Sequence, residues 1–242
     1  YDNSGLILGS PEVEVNKVLV CLDVDQKALE LAARQDCELI LSHHPAIFQA
    51  VKDFTSGTKA GDLLVTAIKN NIALLSTHTN FDSAVGGLSD LLCRKIGVSD
   101  VRILQRAFSL DREYGFGRYG NIAAVSGKQF VKMIKTKLSL KVVRLIGNTP
   151  ESISKVAVFN GSYDRDILPV LLNAGPDAFI TGDLKYHDAQ ELLLNGIFTI
   201  DAGHYGTEKL FIDEMSSILE NKFPNLTVLK YEGADVFSYD ID

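Results

Sequence analysis

No apolar run in the chain approaches the roughly 20 residues a bilayer span requires, which excludes a membrane-crossing helix. The sequence opens on Tyr1-Asp2-Asn3 without a Met and without the basic–apolar–small pattern of a secretory leader, so the natural N-terminus is expected to be missing. Cysteine is scarce: Cys21, Cys37 and Cys93 are odd in number and lack metal-ligand spacing. They read as reduced core thiols and predict a cytoplasmic protein. In that setting the sequon Asn225-Leu226-Thr227 carries no glycan. Positive charge is also short. With 24 Lys and Arg against 31 Asp and Glu the net charge is −7, which argues against a general nucleic-acid binder. The one local exception, Lys128, Lys132, Lys135, Lys137 and Lys141, reads as a solvated helix face rather than a patch for an anionic partner.

With 242 residues, 46% of them hydrophobic, the chain can bury a sizeable core as one large domain or two small ones. Lys17-Val18-Leu19-Val20-Cys21-Leu22 runs without a polar break, as a buried strand does. A helix capped by Asp25 extends to about Gln35. A second strand over 38–42 delivers His43-His44 just before Pro45, and a helix over 59–70 leads to a third strand, Ile72 to Ser76. His78, Asn80 and Asp82 follow in a predicted loop, and Gly86-Gly87 precedes a helix over 88–96. This βαβαβ spacing signals a parallel sheet covered by helices.

The pattern changes between 98 and 150. Strands are expected at 101–104, 121–125 and 142–146 with one helix at 127–138, and Thr149-Pro150-Glu151 resembles a linker. Inside this stretch Gly115-Phe116-Gly117-Arg118-Tyr119-Gly120 matches G-x-G-x-x-G letter for letter. A dinucleotide fingerprint follows a strand and opens a helix whose N-terminus receives pyrophosphate. Here polar Asp111-Arg112-Glu113 comes before, a strand is predicted after, and no acid occurs in the twenty residues beyond Gly120. The motif is read as a decoy. The last third repeats the first: strand 155–159, a helix over 164–173, strand 178–180 ending at Thr181-Gly182-Asp183, a helix carrying His187, strand 198–200, then Asp201-Ala202-Gly203-His204, a helix over 206–221 and a last strand, 226–230. The expected organisation is an α/β fold: a first lobe over 1–97, a connecting α+β region over 98–150 and a second lobe over 151–242.

The five histidines gather where chemistry is expected. His43, His44, His78, Asp183 and His204 all come just past the C-terminal ends of predicted strands, the edge at which ligands bind parallel sheets, and their presence in both lobes predicts a site between them. Imidazole and carboxylate together suit Zn, Mn, Fe or Ni, while the absence of clustered thiolates disfavours a structural zinc site. His204 and Glu208, four apart at a helix start, share a face; His78 and Asp82 have the same spacing. His43 and His44 would diverge on a regular strand, but Pro45 ends that strand and leaves room for a twist that aims both inward. The candidate ligands are His43, His44, Asp82, His204 and Glu208, with His78 and His187 in reserve. So large a set, with two carboxylates in it, suggests two metal ions.

Asp2-Asn3-Ser4-Gly5-Leu6, Ser42-His43-His44-Pro45, Thr77-His78-Thr79-Asn80-Phe81-Asp82, Gly115 to Gly120, Thr181-Gly182-Asp183-Leu184-Lys185-Tyr186-His187-Asp188 and Asp201-Ala202-Gly203-His204-Tyr205-Gly206-Thr207-Glu208 fall in the order of one family. Over essentially its whole length the chain resembles the Nif3-like proteins, also called GTP cyclohydrolase 1 type 2. The resemblance implies a Nif3-like fold of two similar α/β lobes with parallel-rich sheets around a dinuclear metal site, and rings of six subunits. It assigns two divalent ions to His43, His44, Asp82, His204 and Glu208. Family members carry a helical segment before Asp2-Asn3-Ser4-Gly5-Leu6, which this sequence is expected to lack, and the short middle region matches the compact form. The implied activity is metal-activated water opening the guanine ring of a purine nucleotide with loss of formate. For such a reaction the candidates are His187 or His78 as proton shuttle, by the near-neutral range of imidazole, and Lys185 or Arg118 for the triphosphate. A dinuclear phosphoesterase and a non-enzymatic metal-binding or partner-regulating protein stay open beside it.

Overall fold

The structure is a computed structural model and describes residues 2–107 and 114–240. Asp111-Arg112-Glu113 lies outside those residues. The chain divides into two compact units. One is built from the chain up to Phe81 together with Lys209–Ala234, the other from Asp82–Glu208 together with the segment from Asp235 onward. These bounds differ from the three sequence segments in two ways. The region 98–150 supplies strands and a helix to the second unit's sheet instead of forming a connector, and the last helix and strand return to the first unit.

The first unit holds β1 (Gly5–Leu8), β2 (Lys17–Cys21), α1 (Gln26–Arg34), β3 (Leu39–Ser42), α2 (Lys59–Lys69) and β4 (Ala73–Ser76), then α9 (Leu210–Lys222) and β11 (Thr227–Tyr231). Its sheet order is β1-β4-β3-β2-β11, parallel throughout except for β1. The helix boundaries follow local chemistry. The Asp25 carboxylate accepts from Ala28 N at 2.7 Å and starts α1, and the Thr58 hydroxyl accepts from Gly61 N at 3.1 Å to start α2. Leu19, Cys21, Ile40 and Leu74 point from the sheet into a core closed by Ala28, Leu29 and Ala32 of α1 and Leu63, Leu64 and Ala67 of α2. Helix α9 packs on β2 and β11.

The second unit holds α3 (Thr79–Ser83) in part, α4 (Leu88–Ile96), β5 (Ser99–Arg106), β6 (Gly115–Val125), α5 (Gly127–Lys137), β7 (Arg144–Ile146), β8 (Ile153–Ser162), α6 (Leu168–Ala174), β9 (Ala178–Gly182), α7 (Tyr186–Leu194), β10 (Thr199–Asp201) and α8 (His204–Glu208). Its sheet runs β5-β6-β8-β9-β10-β7, with β8-β9-β10 parallel and the other pairs antiparallel. Ala157 and Phe179 of the sheet meet Ile167, Leu168, Leu171 and Leu192 in one core. Phe179 is fully buried, worth about 1.5–3 kcal/mol relative to exposure. A capping box of Ser126 and Gln129 starts α5.

Three sequence expectations change. The stretch after His78 is not a loop but α3, so Asp82 sits on a short helix. The single helix expected over 206–221 is two, α8 and α9. The G-x-G-x-x-G segment lies inside β6 rather than ahead of a strand. Its glycines answer to packing. A Cβ on Gly115 would lie 2.3 Å from Ile103 Cγ2, one on Gly117 2.9 Å from Val158 O, and one on Gly120 2.3 Å from Ser99 O. All three cysteines are free and buried, and burial pushes the Cys93 thiol up to about 12. Among the described residues no helix is long and apolar enough to cross a membrane.

Candidate metal centre

In the first unit the histidines are placed by the C-terminal edge of the parallel strands. Strand β3 ends at Ser42, and the chain keeps bonding to its neighbour for two more residues: His43 N donates to Cys21 O at 3.2 Å and His44 N to Leu22 O at 2.9 Å. The Ser42 hydroxyl closes the bend on His44 O at 2.7 Å. The twist ahead of Pro45 brings the His43 and His44 rings to 5.0 Å with 47° between their planes. His78, two residues past β4, lies 5.3 Å from the first and 5.6 Å from the second. One ligand atom from each of these three residues falls within 4.8 Å of the others.

Which nitrogen faces that cluster is set by what holds the other. His43 Nδ1 meets Thr77 O at 2.8 Å. A carbonyl only accepts, so Nδ1 carries the proton and Nε2 presents its lone pair. His44 Nδ1 pairs with Asp23 Oδ1 at 2.8 Å and His78 Nδ1 with Asp2 Oδ1 at 2.6 Å, the outer-carboxylate arrangement that fixes a metal-binding imidazole. Burial pushes the Asp2 carboxyl up, but hydrogen bonds from His78, Ser4 and Thr79 outweigh it and hold the acid well below the usual carboxylate range. Phe211 backs His43 at 5.0 Å between centroids.

The second unit presents an acid-rich counterpart. His204 and Glu208 face each other across one turn of α8, Nε2 to Oε2 2.8 Å, and His204 Nδ1 is held by Asp183 Oδ2 at 2.7 Å. Asp183 follows β9 in a left-handed conformation, φ 49°. Glu208 is 3% exposed. The main chain closes tightly around it: at Gly161, φ +67°, a Cβ would lie 2.2 Å from Glu208 Oε1 and 3.4 Å from His204 Nε2. At Gly182 a Cβ would strike Gly161 O and the Gly203 carbonyl carbon, each at 2.6 Å. Asp82 joins this group through Asn160, whose Nδ2 donates to Asp82 Oδ1 at 2.8 Å and to Glu208 Oε1 at 3.2 Å. Imidazole nitrogens with carboxylate oxygens are the donors a divalent transition ion takes. The three imidazoles His43, His44 and His78 are spaced to hold a metal ion, and Asp82, His204 and Glu208 are donors of the type such an ion takes.

The expected ligands therefore fall into two sets, His43 and His44 in the first unit, where His78 joins them, and Asp82, His204 and Glu208 in the second. His187 stands apart from them: it is exposed on the first turn of α7, its ring 5.4 Å from Tyr186. Arg118 does not hold a phosphate. It is 2% exposed, and all five of its N–H groups are engaged: Nε and Nη2 on Asp90 at 2.7 and 3.1 Å, Nη2 also on Ala84 O, and Nη1 on Gly115 O and Gly117 O. Sequence reading missed Asp2, Asp23 and Asn160. The signal for Asp23 was available, since it lies two residues past the end of β2 as His44 lies two past the end of β3. Asn160 sits on a strand with nothing local to mark it.

Residues 1–235 match the profile of Duf34/NIF3 (NGG1p interacting factor 3). A Clostridium perfringens protein named GTP cyclohydrolase 1 type 2 homolog is 31% identical, over 99% of this chain and 92% of its own length. The crystal structure of a hypothetical protein from Staphylococcus aureus superposes with a TM-score of 0.90 at 26% identity, over 99% of this chain and 92% of that one. A Bacillus cereus protein related to NIF3 shares the fold at a TM-score of 0.92 and 20% identity, over 99% and 93%. With the family match spanning nearly the whole sequence, the chain belongs to the Duf34/NIF3 family.

Proposed function

We propose that the protein is a metal-dependent hydrolase that opens the imidazole ring of a purine nucleotide such as GTP, with His43, His44, Asp82, His204 and Glu208 holding two divalent ions. The observation that carries this reading is the pinning of four histidines by Nδ1, to Thr77 O, Asp23, Asp2 and Asp183, which makes Nε2 the nitrogen each would give to a metal. Divalent ions bound there would acidify water and polarise the carbon it attacks. His43, backed by Phe211, and His44 supply nitrogen donors, and Glu208 and Asp82 supply charge. His78, oriented by Asp2, holds the proton at Nδ1 and presents Nε2, which makes it the better seated of the two candidate proton carriers; exposed His187 is the other. Lys185, exposed at the start of α7, remains the candidate for a phosphate group. The same reading has the chain assemble as a homohexamer in the cytoplasm.

The name borne by its relatives supports the substrate class. The test is to measure formate and phosphate released from GTP by Zn- or Mn-loaded protein beside His204→Ala. Formate that disappears in the variant supports ring opening. Phosphate alone, equally sensitive to the variant, transfers the reading to phosphoester hydrolysis. Neither product from protein with two ions bound overturns a GTP substrate.

A further inference from the structure

Asp82 and Glu208 belong to different helices, yet one side chain touches both. Asn160 of β8, 7% exposed, gives Nδ2 to an oxygen of each acid, and its Oδ1 accepts from Ser89 Oγ at 2.6 Å. Ser89 is wholly buried at the start of α4. A carboxylate only accepts, so the amide has one orientation: both N–H bonds on the acids, the carbonyl on Ser89. It cannot back away either. The next residue, Gly161, is held by its N–H on Thr207 Oγ1 at 2.9 Å, which ties β8 to α8.

The consequence is a division of the carboxylate oxygens. Asn160 engages Oε1 of Glu208, while Oε2 faces His204 Nε2; at Asp82 it engages Oδ1. A carboxylate released from such a contact can swing to offer both oxygens, and an oxygen-rich shell suits manganese and magnesium, which take six ligands and favour oxygen. Zinc prefers four, with nitrogen among them.

We propose that Asn160 is a positioning residue that sets metal selectivity: by engaging one oxygen each of Asp82 and Glu208, it biases both acids toward donation through a single oxygen and favours zinc over manganese. This rests on the metal-centre reading above. Ser89 is the second member of the device, since it fixes the amide.

The full chain, stripped of metal with a chelator, is titrated with zinc chloride and separately with manganese chloride in competition with a chromophoric chelator. Wild type is compared with Asn160→Leu, which keeps the volume without the donors, and with Ser89→Ala. Asn160→Leu weakens zinc binding about 10- to 100-fold, the usual effect of removing an outer-shell partner. Manganese binding changes less than about threefold, so the zinc-to-manganese affinity ratio falls by at least about threefold; Ser89→Ala moves it the same way by less. A parallel loss for both metals, as general loosening would give, overturns the proposal, as does an unchanged ratio. If Asn160→Leu fails to give a cooperative melt, the Ser89→Ala ratio decides, and an unchanged value there overturns it. Wild type that binds neither metal removes the metal-centre reading itself. Wild type that binds both, with variants that keep its ratio, removes only the role of Asn160.

Discussion

The two units run through one series of elements. In the first, an antiparallel edge strand is followed by strand, helix, strand, helix and strand, β1-β2-α1-β3-α2-β4; in the second the series is β7-β8-α6-β9-α7-β10, and in both the edge strand lies beside the last strand. The likeness reaches single hydrogen bonds. Glu38, just before β3, accepts from Asn16 N and Lys17 N at the start of β2 at 3.2 and 2.7 Å; Asp177, just before β9, accepts from Ser154 N and Lys155 N at the start of β8, both at 2.8 Å. Lys17 Nζ donates to Gln35 O at the end of α1, and Lys155 Nζ to Ala174 O at the end of α6. What differs is the chemistry grown on the strand ends. The first unit presents three imidazoles, the second one imidazole and two carboxylates gathered by an amide. The frame decides where side chains emerge, and the loops decide what they are.

The largest break in this comparison comes from the part the second unit has alone. Arg118 and Asp90 brace the segment that includes Ala84. Arg118→Ala leaves Asp90 and three carbonyls without their partner and costs about 3–5 kcal/mol, read as a loss of denaturant midpoint. A shift of under about 1 kcal/mol would mean the ion pair is dispensable. Next is Gly161→Ala, which puts a Cβ into Glu208 and a non-glycine residue at φ +67°. The strain is about 1–3 kcal/mol, and metal uptake drops. Elemental analysis of Gly161→Ala checks this, and a wild-type metal content in the variant would show that the close fit of Gly161 against Glu208 does not position a ligand.

Smaller effects sharpen the likeness. Asp23→Asn and Asp183→Asn each disturb the orienting bond of one histidine, so each lowers metal affinity by about 10-fold in a chelator competition, with the metal-free melting temperature unchanged. Least of all are Glu38 and Asp177. Burial raises both acids, but hydrogen bonds from backbone N–H groups outweigh it, so each folded carboxyl lies below its usual value. An acid depressed on folding contributes stability above its unfolded pKa and loses it as pH falls through the folded one. Glu38→Gln and Asp177→Asn therefore flatten the acid limb of the stability curve below about pH 4, each by less than about 1 kcal/mol because both acids are largely solvated. A limb as steep as wild type in both variants would show that the caps carry no charge-dependent stability.

The parallel strands and their helices were legible because apolar runs such as Lys17–Cys21 are followed by amphipathic stretches such as Gln26–Arg34. Asp25, named as a cap from sequence, caps α1 in the structure. The histidines were legible because a strand end is a position sequence can locate. Other features were hidden for physical reasons. Strand β11 has the same character as any edge strand, and only its register with Lys17–Cys21 reveals its sheet. Arg118 resembled a phosphate ligand because exposure is not written in an isolated Arg. Asn160 acts on residues 78 and 48 positions away, and no local pattern encodes that reach.

The return of β11 to β2 has a consequence in time. On a ribosome, the outer edge of β2 stays without its neighbour until Thr227–Tyr231 emerges, while Asp82–Glu208, most of the second unit, is already available. An unpaired strand edge is a template for wrong partners, and its exposure lasts for more than two hundred residues of translation, over ten seconds at about 5–20 residues per second. The order of synthesis therefore favours the second unit as the first to mature, with the first unit waiting on its last strand.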